Sequence, residues 1–179
     1  MKRTGMAFVW AIGCVMLLSC GPAVETNVQE PTGSATVVVI VRHAEKLDDS
    51  EDPPLSEKGR RRAELLAQIL ANMPVAGLYA TQYLRTHETL APLAERFQLP
   101  VHEVHSDSTP ELVREILAQF RGRVVVTAGH SGSVPRILRE LGAGDYPELD
   151  EKEYDRLFVA VVGSSDVTVL PLQFGMENR

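Results

Sequence analysis

Thr36-Val37-Val38-Val39-Ile40-Val41 runs directly into Arg42-His43-Ala44-Glu45-Lys46, and the fold is read outward from this stretch. An unbroken β-branched run is the signature of a strand buried on both faces, which is how strands in a parallel sheet are placed. A second such run, Arg123 to Thr127, lies far downstream, and Gly77 to Thr81 reads as a short strand between them. The intervening segments have helical spacing instead. Ser56 is a candidate N-cap for a helix with apolar positions Ala63, Leu66, Leu70 and Met73. Leu90, Leu93, Ala94 and Phe97 mark a second helix; Leu112, Val113, Ile116, Leu117 and Phe120 mark a third. Val134, Ile137, Leu138 and Leu141 mark a fourth, closed by Gly142. Leu157 to Val162 and Asp166 to Leu172, joined by Gly163-Ser164-Ser165, form a closing hairpin. Strands alternating with helices predict an α/β fold: a three-layer α/β/α sandwich with a mainly parallel sheet and an antiparallel edge.

Upstream of the first strand the chemistry changes. Lys2 and Arg3 precede an apolar run from Met6 to Leu18 that ends in Leu17-Leu18-Ser19-Cys20. A short basic region, an apolar stretch shorter than a membrane span and small residues at its end describe a secretory signal, the alternative being a transmembrane anchor. The ending resembles a bacterial lipobox, which implies a signal peptide over residues 1–19 and lipidation of Cys20. Residues 20–35, with Pro22, Pro31 and Gly33, read as a flexible tether to a domain over residues 36–179. These features predict a cell-envelope protein held to its membrane by lipid alone. Gly21 after Cys20 favours the outer membrane in a Gram-negative host.

The chain has 179 residues and two cysteines, Cys14 and Cys20, of which the first would leave with the signal. No thiolate nucleophile, disulfide or cysteine-ligated metal is then expected in the mature domain. Removing Lys2 and Arg3 takes the formal charge from −6 to −8. An acidic surface argues against nucleic acid as a partner. An anionic substrate would have to be captured by a local cluster of cations.

Such a cluster is legible. Ligands of open α/β sheets collect at the carboxyl ends of the strands. Arg42 and His43 end the first strand, His130 follows the Val124–Thr127 strand, and Arg85 lies just beyond the Gly77–Thr81 strand. If those strands are neighbours, two arginines and two histidines share one crevice. Guanidinium forks match phosphate oxygens, and the N–H groups near Ser131 at a helix start add an anion site. Adjacent cations disfavour imidazolium, so a histidine can stay neutral and nucleophilic. The second histidine can donate to the phosphoryl oxygens as charge shifts. The scheme requires neither metal nor other cofactor. Three further features read as solvated surface: the basic run Lys58-Gly59-Arg60-Arg61-Arg62, His87, and His102 with His105 on an extended segment.

Val41-Arg42-His43-Ala44-Glu45-Lys46 resembles the signature of the histidine phosphatase superfamily, in a small bacterial branch that reads RHAEK. Pro54-Leu55-Ser56 with Gly59 and Ala63 is similar to that family's helix entry. Ala80-Thr81 through Arg85-Thr86, with Thr89, resembles its second arginine motif. Val126 to Ser131 with Val134-Pro135 resembles its second histidine motif, and Tyr154 to Phe158 extends the likeness. The resemblance implies a phosphoglycerate mutase-like fold. It also implies that His43 is the phosphorylated nucleophile, and that Arg42, Arg85 and His130, with Ser131, bind phosphate. A general acid is expected after the third strand, where Glu103, Asp107 and Glu111 stand. Asp107 is the choice, with Glu45 and Asp48 as rivals. Two departures stand out: Glu88 replaces a common glutamine beside Arg85, and Ser131-Gly132-Ser133 replaces a more usual Ser-Asn-Thr.

The expected activity is metal-independent phosphomonoester hydrolysis through a phosphohistidine, on a small phosphorylated substrate or a phosphoprotein. A phosphomutase and a phosphohistidine protein phosphatase use the same intermediate. A lipoprotein that binds phosphorylated ligands without turnover is the alternative of another class. The sequence assigns no oligomeric state.

Overall fold

The computed structural model describes residues 35–175. The expected signal peptide, Cys20 and the tether up to residue 34 lie outside the described residues. Among those described, a six-stranded mixed sheet is flanked by four helices. The strands are β1 (Thr36–Arg42), β2 (Val75–Ala80), β3 (Val101–Glu103), β4 (Val124–Gly129), β5 (Arg156–Val162) and β6 (Val167–Gln173). The helices are α1 (Glu57–Ile69), α2 (Leu84–Phe97), α3 (Thr109–Gln119) and α4 (Ser133–Glu140). Strand order is β3-β2-β4-β1-β5-β6, parallel from β3 to β1 and antiparallel from β1 through β5 to β6.

The β-branched run of β1 is buried on both faces because it divides the core. Val39 and Val41 pack with Leu66 and Leu70 on the α1 side and with Leu90 and Leu93 of α2. Val38 and Ile40 pack with Ile116 of α3 and with Val134, Ile137 and Leu138 of α4. Successive strand residues point to opposite faces, so one strand serves both layers. The expected three-layer sandwich is the architecture observed.

The details differ at β3. β3 was not expected as a strand; with Val101 half-buried and the next two residues exposed, it lacks an apolar run and pairs only along β2. α2 begins at Leu84 and places Arg85 in its first turn, just beyond the end of β2, as its position in the sequence suggests. The N-cap of α1 is as expected, with Ser56 Oγ accepting from the Gly59 N–H at 3.1 Å. Gly59 is required for another reason: a Cβ there would collide with the Glu45 carbonyl oxygen.

Candidate active site

Parallel register brings the two histidines together. Arg42 stands opposite Gly129 across β1 and β4, and the His43 N–H donates to the Gly129 carbonyl at 2.8 Å. His43 and His130 therefore leave adjacent strands at the same level. β2 lies on the other side of β4, with Ala80 opposite Ala128, so Thr81 emerges beside His130. The imidazole centroids of His43 and His130 are 5.3 Å apart. Both face a cavity of about 520 Å³ whose wall includes Arg42, Arg85 and Ser131.

His43 is 4% exposed, and its Nδ1 lies 2.8 Å from the Ala44 carbonyl oxygen. A carbonyl oxygen only accepts, so Nδ1 carries the hydrogen and Nε2 keeps its lone pair. Burial, with the nearby charges of Arg42 and Arg85, pushes the His43 pKa down to about 3. The neutral, Nδ1–H form is the nucleophilic one. The Ala44 N–H donates in turn to Thr89 Oγ1, which donates to the Arg85 carbonyl, tying the loop after β1 to α2.

His130 is held from β2. Its Nε2 is 2.9 Å from Thr81 Oγ1, which is 3.0 Å from Thr86 Oγ1. Thr86 Oγ1 lies within reach of the Tyr83 and Thr81 carbonyls at 2.7 and 3.0 Å. Its one hydrogen therefore goes to a carbonyl, leaving the oxygen to accept. Burial and the charges of Arg85 and Arg42 lower the His130 pKa to about 4. Ser133 Oγ accepts the His130 N–H at 2.7 Å, and the N–H groups of Ser133 and Val134 turn back to the His130 carbonyl.

Each arginine is fixed by an aromatic ring and keeps one buried nitrogen unsatisfied. Arg42 lies 4.3 Å over the Tyr154 ring and donates through Nη1 to the Asp150 carbonyl at 2.7 Å. Arg85 lies 4.3 Å over the Tyr83 ring, with Asp52 Oδ1 at 3.6 Å. Arg42 Nε and Arg85 Nη1 are buried without hydrogen-bond partners among the described residues. Buried donors without partners are costly, and two of them at one cavity mark a place for an anion.

The candidate acids fare differently. Asp107 has a side chain 78% exposed, lies 3.8 Å from His105, and does not line the cavity. Glu45 is buried in a two-bond pair with Arg62, at 2.7 and 2.9 Å. Burial alone would raise its pKa, but the Arg62 hydrogen bonds outweigh it and hold the carboxyl low. Asp48 is fully exposed and accepts from Ser50. The carboxylates in the cavity wall that sequence reasoning passed over are Asp49, Glu51 and Glu151, of which Asp49 is paired with Lys46 at 2.6 Å. Glu88 accepts from the Leu55 N–H at 2.6 Å, which gives the expected neighbour of Arg85 a loop-tying role. Tyr83, too, was missed; placing it needed the α2 start. Arg62 and its neighbours were read as a solvated run, yet Arg62 is buried. Among the described residues, no three His, Cys, Asp or Glu side chains gather as a metal site.

Residues 38–106 match the family model of the Histidine phosphatase superfamily (branch 1). The 8-oxo-(d)GTP phosphatase of Mycolicibacterium smegmatis (strain ATCC 700084 / mc(2)155) is 30% identical over 115 residues, 59% of this chain. The match spans 34% of that relative, about a third of its length. Among solved structures, the protein histidine phosphatase SixA complexed with tungstate has a TM-score of 0.64 at 18% identity, covering 76% of this chain and 96% of that one. Bacillus stearothermophilus YhfR has a TM-score of 0.63 at 16% identity, covering 75% and 95%. The structural likeness shows that the chain shares the fold of these proteins, and the family match is confined to residues 38–106.

Proposed function

We propose that the chain is a phosphatase that hydrolyses phosphomonoesters through a phosphohistidine on His43, without a metal ion. The observation that carries this reading is the tautomer of His43. With Nδ1–H spent on the Ala44 carbonyl, the Nε2 lone pair is left beside two buried guanidinium nitrogens that have no hydrogen-bond partner among the described residues. Arg42 and Arg85 hold the phosphoryl oxygens, and Ser131 stands in the same wall. His43 Nε2 attacks phosphorus, the P–O bond to the leaving group breaks, and the departing oxygen takes a proton. Water then attacks phosphorus and gives a proton back to the carboxylate that protonated the leaving group, the P–N bond breaks, and orthophosphate leaves with His43 restored. A phosphoryl oxygen only accepts, so binding selects the His130 state with hydrogen on Nδ1. The one Thr81 hydroxyl hydrogen then goes to a neutral Nε2, and goes to Thr86 Oγ1 when the ring is charged and Nε2 donates to Thr81. The leaving-group proton comes from a cavity carboxyl, Glu51 or Glu151, rather than from the outlying Asp107.

The lipid anchor on Cys20 and a place on the periplasmic face of the envelope belong to the same proposal. They rest on the lipobox-like Leu17 to Cys20. Radiolabelled palmitate incorporation that Cys20→Ala abolishes would support the anchor; incorporation that persists would overturn it.

The test of activity is turnover of 4-nitrophenyl phosphate by the full chain in detergent with EDTA, for wild type and His43→Ala. Turnover that persists in EDTA and disappears in the variant supports the mechanism, as does an acid-labile phosphoryl adduct. Phosphate binding with no turnover in either protein overturns it in favour of a binding lipoprotein.

A further inference from the structure

A second cavity of about 410 Å³ adjoins the first, and the two share Gly132 and Arg136. Arg136 lies in the first turn of α4, half-buried, and donates through Nε to the Gly132 carbonyl at 3.2 Å. That bond fixes the side chain in the wall between the cavities. The terminal nitrogens of Arg136 have no hydrogen-bond or carboxylate partner among the described residues. Its neighbours are committed elsewhere: Arg139 pairs with Asp145 at 3.7 Å in the second cavity, and Lys46 pairs with Asp49 at 2.6 Å at the rim of the first. Arg136 is close enough to His130 for its charge to disfavour the imidazolium there.

A planar guanidinium held at its stem with both terminal nitrogens open is shaped for two-point capture of a carboxylate or phosphate. Arg42 and Arg85 already supply the site for one phosphoryl group, and Arg136 stands where that cavity continues into the next. A chain with a formal charge of −6 repels polyanions except where cations are concentrated. We infer that Arg136 forms a second anion subsite, so the substrate is a phosphomonoester that carries a further carboxylate or phosphate several bonds from the scissile phosphorus. The word substrate rests on the phosphatase reading; the subsite itself does not.

The experiment separates the two by using ligands that cannot be hydrolysed. Calorimetric titration compares 3-phosphonopropionate with propylphosphonate and 4-phosphonobutyrate with butylphosphonate, on the full chain in detergent. Wild type should bind a carboxylated ligand about tenfold tighter than its alkyl match, the effect of one charge-assisted contact. Arg136→Gln should bring that ratio to about one, and Arg136→Lys should keep part of it, because a point charge remains. Equal affinities in wild type, or a preference that survives Arg136→Gln, would overturn the subsite. Turnover of 4-nitrophenyl phosphate is read on the same preparations. A charge preference that depends on Arg136 without any turnover would defeat the phosphatase reading and leave the subsite standing. Failure of wild type to bind any of the four phosphonates would overturn both.

Discussion

The rings of His43 and His130 meet at 61°, centroids 5.3 Å apart, and both imidazoles are held neutral by burial beside Arg42 and Arg85. Their pKa values fall from 6.5 to about 3 and about 4. Between those values and 6.5 the unfolded chain binds more protons than the folded one. Stability is therefore full above about pH 6.5 and is lost as the pH falls towards 4 and then 3. For His43 the loss is about 1.4 kcal/mol per pH unit through that window. Urea unfolding at pH 7, 6 and 5 should show a shallower decline for His43→Gln than for wild type. Parallel declines would refute the buried neutral imidazole.

Thr81 is expected to act through His130. Thr81→Val keeps the shape and removes the hydrogen bond at Nε2. It should lower kcat for an aryl phosphate about tenfold, the scale of one hydrogen bond to a charge-bearing group. Thr81→Ser should restore most of that. The acid limb of the kcat profile should move in Thr81→Val and stay in place in Thr81→Ser, which a packing defect alone would not produce.

The stacked pair Tyr154 and Arg42 gives a prediction about binding. Tyr154→Leu removes the face on which the guanidinium rests, and Tyr154→Phe keeps it. The leucine variant should raise KM about tenfold, with the phenylalanine variant close to wild type. If both substitutions raise KM alike, the phenol hydroxyl, not the ring, is the operative group.

Leaving groups should identify the acid. A nitrophenolate needs little protonation, whereas an alkoxide needs a full proton. The variant that removes the acid should lose alkyl phosphate turnover about a hundredfold while retaining aryl phosphate turnover. Glu51→Gln or Glu151→Gln should show this pattern. Asp107→Asn should leave the alkyl-to-aryl ratio unchanged, and a collapsed ratio there would reinstate Asp107.

The buried pair of Glu45 and Arg62 is expected to matter for stability. Arg62→Met removes both hydrogen bonds to a buried carboxylate, leaving it only Lys58 at 3.4 Å among the described side chains, and should cost about 3 kcal/mol in urea unfolding. Adding Glu45→Gln to Arg62→Met should recover part of that loss. A destabilisation under about 1 kcal/mol would place the pair with ordinary surface ion pairs.

Much of this was legible because strands buried on both faces announce themselves. The runs at β1 and β4 set the sheet, and Arg42, His43 and His130 follow from where those runs stop. Arg85 was legible as a motif residue, and the structure adds that Tyr83 holds it. Elements without an apolar period were not readable: β3 is short and half solvated, so nothing in Val101–Glu103 marks it. The burial of Arg62 was hidden because its partner Glu45 lies on another element and the run around it is basic. Cavity carboxylates on exposed loops, Glu51 and Glu151, carry no periodicity at all. Asp107 was favoured by the family resemblance, which places the acid in this stretch, yet the loop carries its side chain outward to His105.

The direct pairing of Arg42 with Gly129 ties chemistry to the order of folding. β1 and β4 are far apart in the chain, and closing a non-local parallel pair is a slow event compared with forming the local helices. Helical signal in refolding should then rise before any catalytic signal, since neither histidine has its neighbour until the central strands join. Recovery of turnover would serve as a clock for the closure of the sheet.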